Sequence, residues 1–149
     1  MEVSDLLPHL GQLEFLSRIR DLSIAYAFAF LIGWNRERHD HSAGIRTFPL
    51  VAVAACGFIQ AAEGLAADNP EALARVIEGV ITGMGFIGGG AILKSGSEVH
   101  GTATAASLWA TGAIGVAVAL RADDVALLIT GFTIVTLYVL SRMKSEAGK

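Results

Sequence analysis

The chain is short of charge. Lys, Arg, Asp and Glu make up 17% of its 149 residues, against about 25% in ordinary soluble domains. A soluble fold needs a polar coat, and a sequence that is 53% hydrophobic with a mean hydropathy of +0.56 can hardly supply one. Basic residues are not in excess: the formal net charge is −3, which leaves no cationic footprint for nucleic acid. A single cysteine, Cys56, excludes an intramolecular disulfide framework, and its place within an apolar run marks it as a buried, inert thiol. No cleavable signal peptide is expected, because the chain opens with Glu2 and Asp5 instead of basic residues, so a retained helix does the targeting. No nucleophile and base pair, phosphate loop or paired carboxylates stand out, which argues against an enzyme. No cofactor and no resident metal is expected.

What the chain has instead is long uncharged runs, and the most informative is Gly79 to Leu93. It is apolar yet carries six glycines: Gly79, Gly83, Gly85, Gly88, Gly89 and Gly90. Each interior glycine costs a water-exposed helix about 1 kcal/mol relative to alanine. In a bilayer the same residues let helix backbones approach closely, or let a helix break where it lines a cavity. Further runs without charge cover Leu22 to Asn35, Thr47 to Ala62, Gly101 to Leu120 and Val125 to Ser141. Only the fourth in chain order, Gly101 to Leu120, reaches the nominal span of about 20 residues. Flanking Arg18, Arg20, Arg75 and Lys94 can snorkel to extend the shorter ones.

The expected fold is therefore all-α: one polytopic transmembrane helical bundle of about five helices over residues 1–149, with spans near 21–36, 47–65, 76–94, 101–120 and 124–142. Residues 1–20, with Leu6, Leu7, Leu10, Leu13 and Leu16, read as an amphipathic segment on the membrane surface. Orientation follows from basic residues near the span ends. One side collects Arg36, Arg38, Arg46, Lys94, Arg142, Lys144 and Lys149, and the other Arg18, Arg20, Arg75 and Arg121 among many acids, Asp21 included. The N-terminus is thus expected outside and the C-terminus in the cytoplasm.

That topology gathers the end of helix one (Asn35, Arg36, Glu37), the start of helix two (Arg46, Thr47), the Gly88-Gly89-Gly90 end of helix three and the start of helix four (Thr102, Thr104) at the cytoplasmic side. They form either one polar, glycine-lined site or a set of positive-inside anchors. A helical projection of helix three puts Gly79, Thr82, Gly83, Phe86, Gly89 and Gly90 on one arc, predicted to pack, with Val80, Met84, Ile87 and Ala91 toward lipid. Glu78, on the shoulder of the packing arc, is either an interfacial residue paired with Arg75 or an intramembrane ionisable group and thus a functional candidate. In helix four, Ser107, Thr111, Gly115 and Ala119 recur every four residues, a stripe expected to pack on helix three, its hydroxyls bonding to their own helix. His39, His41 and His100 carry zinc-type ligand atoms but sit on two loops, where solvated histidines are the commoner case.

Gly33-Trp-Asn-Arg-Glu37, Ala43-Gly-Ile-Arg-Thr47, Thr82-Gly-Met-Gly-Phe-Ile-Gly-Gly-Gly90 and Thr104-Ala-Ala-Ser-Leu-Trp109 resemble, in order and spacing, the successive signatures of the MgtC/SapB membrane family. The resemblance runs from about Leu22 to Leu140 and implies a bacterial inner-membrane domain of about five spans, of the type without the C-terminal cytoplasmic domain of virulence-type members. It gives signature positions to Arg36, Glu37, Arg46 and Thr47. This chain departs from the pattern at Asn35, where the family often has glutamate, and at Gly101-Thr-Ala-Thr-Ala105, where it often reads Gly-Leu-Thr-Thr-Ala. Family members are linked to growth at low magnesium, acid tolerance and survival in host cells, and some restrain the membrane ATP synthase. The expectation is a non-enzymatic regulatory membrane protein of cation (magnesium) or acid stress. It would act within the bilayer as a homo-oligomer or on other membrane proteins, with Arg36, Glu37 and Arg46 pairing with each other or binding an anionic lipid or a protein acid. The competing expectation is a small transporter or channel for magnesium, potassium or protons, with helix three broken at its glycines.

Overall fold

The computed structural model describes residues 3–37, 43–66 and 69–140. Arg38, His39, Asp40, His41 and the basic residues after Leu140 lie outside them. Five helices form the described chain: α1 (Val3–Glu37), α2 (Thr47–Ala66), α3 (Pro70–Gly90), α4 (Thr102–Ala119) and α5 (Asp123–Val135), the last continuing as a wider π-type coil over Thr136–Leu140. A short antiparallel hairpin, β1 (Leu93–Ser95) and β2 (Glu98–His100), joins α3 to α4. The all-α expectation holds. Thr47–Gly64, Glu71–Gly90 and Thr102–Ala119 are long and apolar enough to cross a membrane.

Boundaries differ from the sequence reading at the start of α1 and at both ends of α3, which begins at Pro70 instead of near residue 76. Helix α1 runs unbroken from Val3, so the segment expected on the membrane surface continues the axis of the first span. No proline lies between Gly11 and Glu37, and the backbone ladder propagates. Helix α3 stops at Gly90 instead of near residue 94. Three consecutive glycines weaken its last turn, the Ala91 N–H closes on Gly88 O, and Leu93 enters the hairpin, with Leu93 opposite His100 and Gly96 at φ 63 in its turn. At its other end α3 starts on a side-chain cap: Asn69 accepts the Glu71 N–H, and Pro70 follows where its missing N–H costs nothing.

Helix α4 is the axis of the bundle, with 61% of its span buried, against 50% for α2 and 11% for α3. Glycine sets how closely its neighbours approach. A methyl at Gly115 would meet the Ala52 carbonyl, Ala55 Cβ at 2.9 Å and Cys56 N at 3.0 Å, so Gly115 of the expected stripe packs on α2, not on α3. One contact with α3 is made at Gly112, which admits the Met84 side chain. As expected, Ser107 and Thr111 donate to Ala103 O and Ser107 O of their own helix, both at 2.8 Å.

Candidate functional site at the arginine end of the bundle

The end of α1, the start of α2, the end of α3 and the start of α4 meet at one end of the bundle. Gly33 lets the incoming chain lie against α1, since a Cβ there would sit 3.0 Å from Gly44 O and 3.1 Å from Ile45 Cα. Gly44 carries the reciprocal demand: any side chain on it would run into the Glu37 carboxylate. That carboxylate accepts the Ile45 N–H at 3.2 Å, while Gly44 O accepts the N–H groups of Thr47 and Phe48 at 3.1 and 3.2 Å and starts α2. Glu37 thus pins the turn that launches the second helix.

Arg36 is only 4% exposed, and its Nη2 donates to Thr104 Oγ1 on α4 at 2.5 Å. Its Nε is buried with no hydrogen-bond partner among the described residues. Beside it Gly88 brings the last turn of α3 onto α4, where a Cβ would lie 3.2 Å from Ala105 O. Gly101 adopts φ 86, and a side chain there would strike the Ala91 carbonyl. The four sequence blocks thus fold into one contact, with the Arg36 guanidinium inside it.

Not every candidate joins that contact. Arg46 and Thr102 are exposed, Thr47 and Asn35 are partly buried, and Glu37 reaches in from the surface. Glu78 is exposed on α3, and neither Arg75 nor any other described residue forms an ion pair with it. Among the described residues no group of histidines, cysteines and acids is gathered for a metal ion. His100 pairs with Glu98 of the same strand, β2, at 3.2 Å.

The faces of α3 oppose the prediction except at Ile87, which is exposed as expected. Met84 is buried, Val76 and Val80 pack on the core, and Phe86 is 86% exposed. Gly79, Gly83, Gly85, Gly89 and Gly90 have nothing within 4 Å of a built Cβ, leaving Gly88 as the glycine of this run that packs. The reason is volume: α4 already supplies the small residues of this interface, so α3 contributes the knobs that fill them. The helix is unbroken through its glycines up to Gly90, so they do not interrupt it.

A second polar centre escaped the sequence reading. Asp21, 2% exposed, accepts from Arg20 at 2.9 Å and from Arg121, in the turn between α4 and α5, at 2.9 Å; Gln60 of α2 donates to it at 3.5 Å. It binds three parts of the bundle at the end opposite Arg36. Arg121, which makes that bond, has φ 61, in the left-handed region.

An all-helical bundle with membrane-spanning lengths and a buried arginine at one end defines a helical membrane protein. Residues 22–146 match the MgtC family, and the chain belongs to it. It is 36% identical to Protein SrpB of Synechococcus elongatus over 93% of this chain and 82% of that protein. It is 39% identical to Protein MgtC of Brucella abortus over 64% of this chain and 39% of that protein. For Protein MgtC of Salmonella typhimurium the identity is 38%, over 66% of this chain and 41% of that protein. The match thus spans about two fifths of these MgtC proteins. No solved structure matches the chain.

Proposed function

We propose that the chain is a multi-pass protein of the bacterial inner membrane with a non-enzymatic, regulatory role in cation stress, magnesium above all, or in acid stress, exerted through contacts with membrane proteins or further copies of itself. The observation that carries this reading is the outward face of α3. Glu78, Thr82, Gly85 and Gly89 recur at helical spacing on the side away from buried Met84, and all four are exposed. A carboxylate turned toward hydrocarbon is costly, and small residues in membrane helices favour close approach of another helix. The face therefore suits a partner helix that hydrogen-bonds Glu78 and packs on the glycines. Autonomous transport would favour a span unwound near the bilayer midplane; α3 is continuous, which supports the regulatory reading over a channel or transporter. The family's link to low magnesium and acid supports the physiological setting, and the bias of basic residues supports a cytoplasmic C-terminus.

A photo-crosslinking residue at Thr82 in native membranes tests the reading. Adducts with a membrane protein, or with a second copy of the chain, are expected, and they should weaken with Glu78→Gln. Magnesium, potassium and proton flux into sealed liposomes should match empty vesicles. Flux above that background, lost in Glu78→Gln, would overturn the proposal in favour of transport.

A further inference from the structure

Beside the outward stripe, on the flank of α3 that faces α2, runs a lateral groove of about 1150 Å³. This is slightly above the roughly 300–1000 Å³ typical of ligand pockets. Its walls are apolar along their length, and the polar residues Arg46 and Thr47 both sit at one end. The α2 wall extends from Arg46 to Phe58, twelve residues on, a length of about 18 Å at 1.5 Å per residue. Half the hydrocarbon core of a bilayer measures about 15 Å. The groove therefore has the depth of one leaflet, a hydrocarbon lining and a cation at its mouth.

The charge at that mouth meets no described acid. Arg36 is buried and committed to Thr104, whereas Arg46 is exposed and forms no salt bridge with a described residue. The first N–H groups of α2 are already taken by Gly44 O, so the guanidinium is what the groove mouth offers an anion. The groove owes its width to Gly79 and Gly83, whose missing side chains would have pointed into open space. We infer that this groove seats one acyl chain of an anionic phospholipid from the leaflet at the Arg46 end, with the lipid phosphate on the Arg46 guanidinium. The length match, the one-ended polarity and the exposed arginine together specify an amphiphile with a negative head. This site lies on a different flank of α3 from the proposed partner face and does not depend on it.

Native mass spectrometry of the full chain released from detergent, supplemented with phosphatidylglycerol or with phosphatidylcholine of identical acyl chains, tests the assignment; glycerol phosphate serves as the headgroup without chains. The unmodified protein should retain one phosphatidylglycerol per chain, preferred about fivefold over phosphatidylcholine, as one arginine near an anionic headgroup provides, and should not retain glycerol phosphate. Arg46→Gln should abolish the headgroup preference and leave chain binding. Gly83→Leu, whose Cβ has open space around it and whose side chain would occupy the groove, should abolish retention of both lipids. Arg18→Gln, an exposed basic residue on α1 outside the groove, should change neither. A preference that survives Arg46→Gln, or lipid retention that survives Gly83→Leu, would overturn the proposal. So would a lipid-free dimer dissociated by Gly83→Leu, which would assign the groove to a second copy. Should Gly83→Leu fail to fold by circular dichroism, Arg46→Gln decides alone, since the Arg46 side chain forms no hydrogen bond or ion pair with a described residue and only its carbonyl is used, by Leu50 N–H.

Discussion

Among the described residues the buried Arg36 guanidinium has one side-chain hydrogen bond, to Thr104, and its Nε has no partner. Removing one partner of such a contact leaves the other's desolvation uncompensated, whereas removing both with apolar groups of similar size is often neutral. Thr104→Val is therefore expected to destabilise the protein by about 1–3 kcal/mol, and Arg36→Met combined with Thr104→Val to recover most of that loss. Thermal unfolding in one detergent, followed by circular dichroism, measures both. A double variant less stable than Thr104→Val alone would mean that the arginine is held by something other than this pair. The glycines nearby are read just as directly. Gly33 and Gly44 occupy positions where a single methyl would strike backbone or the Glu37 carboxylate, so these two positions in the signature blocks report a close crossing of chain on helix.

At the scale of the element, the same measurement separates two glycines of α4. At Gly115 a methyl meets the Ala52 carbonyl and the Cys56 nitrogen, which are backbone and cannot retreat. At Gly112 it meets the Met84 side chain, which can change rotamer. Gly115→Ala should cost about 1–3 kcal/mol, and Gly112→Ala distinctly less; equal losses would show that Met84 is as rigidly held as the backbone. The helices themselves were legible because uncharged runs bounded by charge are what a span leaves in a sequence. The gathering of Arg36, Glu37, Thr47 and Thr104 at one end followed from counting spans. The Arg36 to Thr104 bond joins residues 68 positions apart, and local spacing carries no record of it. The hairpin did leave a trace, in Lys94-Ser-Gly-Ser-Glu98 before Val99, a turn sequence set against a β-branched residue. The facing of α3 left none: a stripe of glycines marks where a helix can come close, but the side-chain volume on its far side decides which way it turns. Asp21 read as a flanking acid because its burial rests on Arg121, a hundred residues away.

Across the whole molecule the bonds are unevenly shared. Asp21 and Gln60 tie α1 and α2 to the turn after α4, and Arg36 ties α1 to α4. Among the described residues no hydrogen bond or ion pair joins α3 to another helix, and 11% of its span is buried. In hydrocarbon, without a hydrophobic force between helices, it is held by van der Waals packing and by its two connections. Backbone amides of α3 should accordingly exchange with deuterium before those of α4 when the protein is held in lipid nanodiscs. Equal protection of the two helices would show that α3 is anchored as firmly as the axis of the bundle. A helix held this way has a thermodynamic consequence. If it rests in two positions, a lipid that favours one of them on its α2 flank and a protein that favours one on its outer face must each alter the other's affinity by the same factor. Membrane composition and partner occupancy would then be two inputs to a single equilibrium, the seating of α3.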